Sequence, residues 1–151
     1  MQELSPEQMI EEYRKTLIFS SISFKRYLEQ NGWQLTFNRY CFEPSFPDTH
    51  RDLSGFIFDD LSCRYTKFIQ PTLEGCTFVN TDLENTTFER VVALSSIELA
   101  RAKWENLISD TNTHQIIEAA RRIRYLEKII EQKEQKIRQR KEVFPEIYQP
   151  E

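Results

Sequence analysis

The chain is poor in the residues that build metal centres and disulfide frameworks. Its 151 residues include only three cysteines and two histidines. Cys41, Cys63 and Cys76 form an odd and widely separated set, which fits neither a zinc-binding pattern nor a disulfide-stabilised secreted domain. We therefore expect reduced thiols and a cytoplasmic location.

Signals for catalysis are equally scarce. His50 and His114 lie in different segments, and neither has a Cys, His or carboxylate at the spacing of a metal-ligand pair. Asp59 and Asp60 are adjacent, and we interpret them as part of a solvated surface. The sequence contains no glycine-rich phosphate loop, nucleophile elbow or metal-binding helix motif. We expect no enzymatic activity, no metal, no cofactor and no small-molecule substrate.

Long apolar runs are also missing. The N-terminal residues are acidic and the apolar stretches are only a few residues long, so the sequence predicts neither a signal peptide nor a membrane span. Hydrophobic residues nevertheless make up 39% of the chain and aromatic residues 13%. This composition excludes a wholly disordered chain and suffices for one compact unit with appendages.

What the sequence does have is a large residue at every fifth position between Arg51 and Val92. Leu or Phe fills seven of these eight positions, and a cysteine fills the other. A period of five matches neither a helix face nor strand alternation, so it indicates a repeat architecture. The eight positions are Leu53, Phe58, Cys63, Phe68, Leu73, Phe78, Leu83 and Phe88.

This series resembles the pentapeptide repeat family. In that family, four five-residue faces form one turn of a right-handed quadrilateral β-helix, and positions twenty residues apart stack. Gly55 then lies over Gly75, at a shared corner where a side chain would be strained. The resemblance implies a solenoid over residues 51–93. Its implied core contains the eight residues above together with Phe56, Leu61 and Cys76.

Residues 33–50 carry a weaker version of the same pattern. Phe37 and Phe42 are five residues apart, and Leu35 and Tyr40 stand two residues before them. Their phase is displaced by one residue from the main series, and the residues after Phe42 are typical of a loop that absorbs this slip. Two alternatives stay open: a degenerate extra coil, or a plain strand or hairpin followed by a loop.

Helices are predicted on both sides of the repeat. Ser5 and Pro6 form a helix start, and apolar residues at helical spacing extend one capping helix over residues 1–32. A second capping helix is predicted over residues 94–110, where Ser95 or Ser96 can act as N-cap. The predicted fold class is α+β: a short β-helix that is capped at both ends and followed by C-terminal helices.

A long basic amphipathic helix is predicted over residues 111–142. Residues 113–142 hold nine Lys or Arg and five Glu, whereas the rest of the chain has a balance of −8. Isoleucines spaced by seven, with Ala119 and Leu126 between them, are typical of a two-stranded coiled coil. The residues expected to bind a partner are Ile116, Ile123, Leu126, Ile130 and Ile137 of the helix and Phe144 and Tyr148 of the tail, residues 143–151.

These patterns favour a non-enzymatic interaction or scaffold module. It is expected to bind a protein partner or a second copy through the C-terminal helix, the tail or the solenoid face, and to lose that partner but stay folded without residues 116–151. The alternative is a nucleic-acid-related role, because some members of the family are acidic mimics of DNA and because a basic helix can bind phosphates. Two to three coils span only about 10 to 15 Å, so this alternative ranks second.

Overall fold

The computed structural model describes residues 4–34, 36–46 and 48–146. It has an α+β fold with a long C-terminal helix, which confirms this part of the prediction. The helices are α1 (Pro6–Leu17), α2 (Phe24–Gln30), α3 (Ser96–Ala100) and α4 (Thr111–Val143). The strands are β1 (Cys41–Phe42), β2 (Arg51–Asp52), β3 (Lys67–Ile69), β4 (Pro71–Thr72), β5 (Thr86–Glu89) and β6 (Leu107–Ser109). Among the described residues, no helix combines the length and the apolar character needed to cross a membrane.

All the strand pairs are parallel, and an offset of twenty residues recurs among them. β1, β3, β5 and β6 form one sheet in that order, and β2 pairs with β4 in a second sheet. Phe68 of β3 lies opposite Phe88 of β5, and Arg51 of β2 lies opposite Pro71 of β4. Three isolated bridges have the same offset. Successive twenty-residue segments are therefore stacked on one another, and we call residues 36–46, 48–95 and 101–109 the stacked body.

The weaker repeat before the loop also joins the first sheet. Cys41 lies opposite Lys67, an offset of 26 residues, and the extra residues fall in the predicted loop between β1 and β2. The ring of Phe42 stacks on the ring of Phe68, with centroids 4.9 Å apart. The segment thus adds a strand and an aromatic side chain beside β3. Leu35, which belongs to the weaker pattern, lies outside the described residues.

The apolar core consists of side chains that repeat with the layers. Phe58 stacks on Phe78, and Phe68 stacks on Phe88, with ring centroids 5.2 and 5.1 Å apart and ring planes nearly parallel. The eleven residues of the predicted solenoid core are all buried, and none is more than 4% exposed. Three buried threonines beside them donate their hydroxyls to backbone carbonyls of the preceding layer. These hydrogen bonds satisfy polar groups that water cannot reach.

A second five-residue period appears in the backbone. Eight residues between positions 55 and 90 have a positive φ, and they recur at every fifth position. They are Gly55, Asp60, Tyr65, Gln70, Gly75, Asn80, Asn85 and Arg90. Each repeat therefore ends in a left-handed corner, a conformation that strains most side chains and that Asn and Asp tolerate better than others.

We expect Gly75→Val to lower the free energy of unfolding by about 1 to 3 kcal/mol, because a β-branched residue is strained at positive φ. Gly75 has a φ of +73°, and an added Cβ would lie 3.8 Å from Gly55, which is an ordinary contact. Strain rather than a clash therefore sets the loss. Gly75→Asn is the matched control, since Asn80 and Asn85 occupy equivalent corners, and it should cost about half as much or less. Equal losses in urea unfolding would contradict a special conformation at this corner.

The prediction of a single helix over residues 1–32 is wrong. The described part of this segment forms α1 and α2, separated by residues 18–23. Three of those six residues are serines, whose hydroxyls compete for backbone hydrogen bonds and disfavour a continuous helix. The break lets both helices cover the same end of the stacked body. The ring of Tyr13 in α1 lies 4.6 Å from that of Phe24 in α2 and 5.0 Å from that of Phe56.

The predicted capping helix over residues 94–110 is wrong beyond Ala100. Residues 101–109 continue the stacked layers instead: the backbone N–H of Leu83 donates to the carbonyl of Lys103 at 2.9 Å, and β6 pairs with β5. Without this segment the edge of β5 would leave backbone groups unpaired, and pairing them outweighs the helical spacing of the apolar residues. This end of the body is covered instead by α3 and α4, which pack against each other.

Candidate interaction surface

The N-cap residue of α4 is also hydrogen-bonded to the stacked body. Asp110 accepts through Oδ1 from the backbone N–H of Thr113 at 3.0 Å and through Oδ2 from the backbone N–H of Arg90 at 2.7 Å. These hydrogen bonds hold the pKa of Asp110 below its usual value, and the one from Arg90 has the largest effect. One carboxylate thus joins the start of the helix to the last corner of the repeat.

The first third of α4 packs on the body. Thr113, Ile117 and Ala120 are buried along one face of the helix. Ile116 and Ile123 are partly buried and pack against the same core. Both had been predicted to bind a partner, but they contact the chain's own core instead. The reason is that the helix starts against the body, so the first part of its apolar face is covered there.

Arg124 ends this anchored part of α4. Its guanidinium donates through Nε to the carbonyl of Ala100 at 3.1 Å, through Nη1 to that of Trp104 at 2.7 Å, and through Nη2 to that of Ala102. The guanidinium carbon also lies 4.0 Å from the centre of the Trp104 ring. Burial lowers the pKa of Arg124, although an arginine remains protonated at physiological pH. We call residues 111–124 the anchored segment.

The role of Arg124 could not be found in the sequence, which places it among the basic residues of a solvated helix face. Its acceptors are backbone carbonyls of residues 100–104, and any residue type can supply a backbone carbonyl. The identity of its acceptors therefore leaves no mark in the sequence. Trp104 was the one available signal, because arginine and tryptophan often pack together.

We expect Arg124→Ala to lower the free energy of unfolding by about 2 to 3 kcal/mol, because three carbonyls lose a charged donor. Arg121→Ala is the matched control. Arg121 lies over the same indole ring at 5.0 Å, but within the described residues it donates no hydrogen bond to a carbonyl, so its loss should cost under about 1 kcal/mol. Thermal unfolding of both variants checks this. Equal losses would mean that the ring contact, and not the hydrogen bonding, holds the helix.

Beyond Arg124 the helix leaves the body. Residues 125–146 are exposed, except Ile129, which is half-buried. The large side chains that line one side of the helix are Leu126, Ile130 and Ile137, with 49%, 55% and 46% of their surface exposed, and Phe144, which is 54% exposed, is the C-cap residue after the last turn. These four had been predicted to bind a partner, and they lie where another chain can reach them. Tyr148 lies outside the described residues. We call residues 125–144 the projecting segment.

Two cysteines and the adjacent aspartates are engaged in the body. Burial raises the pKa of Cys63, and it raises the pKa of Cys76 to about 12, so both thiols stay protonated and are poor nucleophiles. Asp59 and Asp60 each accept a hydrogen bond from a group twenty residues later, at 3.0 and 2.8 Å. Both lie at the surface of the body, where Asp60 is exposed and Asp59 is half-buried, as expected for an outer face. Within the described residues, no group of three His, Cys, Asp or Glu could hold a metal ion.

The geometry suits the presentation of a helix. Asp110 fixes the start of α4, Ile117 and Ala120 pack it on the body, and Arg124 binds the carbonyls beside α3. Because these contacts are spread over four helical turns, they fix the direction in which the projecting segment leaves the body. No family model, curated protein or solved structure matches the chain.

Proposed function

We propose that the chain is a non-enzymatic interaction module, in which a short right-handed quadrilateral β-helix of the pentapeptide repeat type presents a long helix to another protein chain. The twenty-residue parallel register and the left-handed residue at every fifth position support the β-helix, because four corners divide each twenty-residue layer into four faces. The three free cysteines fit a reducing, cytoplasmic compartment.

The observation that carries this function is the exposed apolar stripe of the projecting segment. Contiguous apolar surface on a protein marks a binding site more often than chance placement does. The body does not cover this stripe, since its large side chains are between 46% and 55% exposed. Covering four large side chains, at about 25 cal/mol per Å² of apolar surface, contributes several kcal/mol, enough to hold a complex together.

The charges of the projecting segment favour a protein over a nucleic acid. Residues 125–144 contain six Lys or Arg and four Glu, interspersed along the helix. Binding to a phosphate backbone depends on uncompensated cations, and nearby carboxylates repel phosphate. A surface with both signs around an apolar stripe is typical of a helix that pairs with another helix.

The test removes the stripe while keeping the helix. Leu126→Gln, Ile130→Gln and Ile137→Gln are combined in one chain, since Gln is a good helix former. This variant should lose self-association in light scattering and lose any partner retained from a native lysate. The matched control combines Lys128→Gln and Glu131→Gln on the opposite face and should behave as the parent chain does. If the stripe variant associates as strongly as the parent in both measurements, the proposed function is wrong.

A further inference from the structure

We propose that the projecting segment pairs with that of a second copy in an antiparallel orientation, with Leu126 of one copy opposite Phe144 of the other. This inference rests on the proposed function and specifies its partner. It follows from the apolar stripe described above and from the order of the charges beside it.

Charge is distributed unequally along the projecting segment. Residues 125–134 contain two Lys and three Glu, whereas residues 135–144 contain four Lys or Arg and one Glu. A parallel pair would place the two strongly basic halves side by side. An antiparallel pair places each basic half beside the acidic half of the other copy, where opposite charges attract.

The apolar stripe itself contains two cations. One core position of the heptad holds Ile130, Ile137 and Phe144, and the other holds Leu126, Lys133 and Arg140. In a parallel pair each core residue meets its own counterpart, so Lys133 would face Lys133 and Arg140 would face Arg140. In an antiparallel pair the two core positions face each other, so each cation meets an isoleucine. Its long side chain can then reach past that residue to water.

The flanking charges and the length of the apolar stripe together select one antiparallel register. When Leu126 lies opposite Phe144, Glu127 of each copy lies beside Lys141 of the other, which gives two ion pairs across the interface. A shift of one heptad that moves Leu126 opposite Ile137 places Glu127 beside Glu134, where like charges repel. The opposite shift places Glu134 beside Lys141, but it leaves Leu126 and Ile130 opposite positions past the end of α4 at Val143, so their apolar contacts are lost. The register centred on residue 135 is therefore favoured.

The centre of this pair is its least favourable part. Glu134 faces its own counterpart across the two-fold axis on one side, and Lys136 does so on the other. Both side chains are exposed, and salt screens charges at such positions. On the second side, Ile129 of each copy meets Val143 of the other and extends the apolar contact. The two ends thus supply most of the attraction.

Compensating charge reversals test both orientation and register. Glu127→Lys and Lys141→Glu each turn two ion pairs into like-charge pairs, and each should weaken dimerisation of the full chain about tenfold. The double variant restores opposite charges only in this register and should return to within about threefold of the parent dissociation constant. Analytical ultracentrifugation measures these constants. A double variant that dimerises no better than the single ones overturns the inference.

Cysteine cross-linking gives an independent measurement. In chains that carry Cys41→Ser, Leu126→Cys should not cross-link to itself, because the two copies of this position lie about 27 Å apart in the antiparallel pair. It should cross-link to Phe144→Cys when the two variants are mixed under oxidation. Self-cross-linking of Leu126→Cys would indicate a parallel pair and would overturn the inference.

The outcomes separate this inference from the proposed function. A full chain that stays monomeric up to high concentration overturns the second copy as partner. If that monomer still binds a different protein, and loses it when the stripe residues are replaced by glutamine, the proposed function stands. If it binds nothing through the stripe, both proposals fail.

Discussion

Phe78→Ala should lower the free energy of unfolding by about 3 to 5 kcal/mol, because the side chain fills an enclosed site between layers. Phe78 is 1% exposed. Its ring stacks on that of Phe58 at 5.2 Å and meets the ring of Phe68 edge-on at 6.4 Å. The substitution removes buried apolar surface and leaves a cavity. Backbone hydrogen bonds between the layers keep the surroundings from collapsing into it.

Val79→Ala is the matched control for this prediction. Val79 is the next residue along the chain, and its side chain is 42% exposed, so its truncation should cost under about 0.5 kcal/mol. Asp59→Ala, which the sequence suggests as a neutral change, is a poorer control because Asp59 accepts from the backbone N–H of Val79 at 3.0 Å. Urea unfolding measures the loss of unfolding free energy in the two variants. A loss for Phe78→Ala no larger than that for Val79→Ala contradicts the five-residue register.

The interior of the body could be predicted because its packing restricts the residue types at fixed positions. A narrow core that repeats every five residues requires large apolar side chains at that period, and this leaves a direct pattern in the sequence. The left-handed corners leave a weaker pattern in the sequence. Gly55 and Gly75 indicate positive φ, but the six other corners hold residues such as Tyr65 and Arg90. Three of the six are Asn or Asp, which tolerate positive φ, but at the other three no local residue preference reveals the corner.

The segments at the two ends of the body could not be predicted as well, because their structure depends on residues far along the chain. Apolar residues of 101–109 have helical spacing, yet the open edge of β5 offers backbone partners that a helix could not satisfy. Residues 18–23 break a helical pattern so that α1 and α2 can share one surface. In both segments tertiary contacts override local propensity.

The heptad spacing of α4 marks an apolar stripe but does not say what covers it. Ile116 and Ile123 pack at the edge of the body, whereas Ile130 and Ile137 of the same series are exposed. The body takes the neighbouring face through Ile117 and Ala120, and it covers the helix only as far as Arg124. The boundary at Arg124 is therefore a property of the folded chain.

The position at which α4 is cut should decide whether the body stays stable. A chain ending at Gln115 should lose at least about 4 kcal/mol of unfolding free energy, because it lacks buried Ile117 and Ala120 and the hydrogen bonds of Arg124. The sequence alone suggests that removing residues 116–151 is harmless. The packing of the anchored segment reverses that expectation.

A chain ending at Lys128 is the matched control, because it keeps the anchored segment with one further turn and loses Ile130, Ile137 and Phe144. Its unfolding free energy should lie within about 0.5 kcal/mol of the parent value, measured in urea at a concentration where both are monomeric. It should nevertheless have lost association in light scattering. Equal destabilisation by both truncations would mean that the projecting segment supports the body. If neither truncation destabilises the chain, the contacts of Ile117 and Arg124 contribute little, and the helix is not held in a fixed direction.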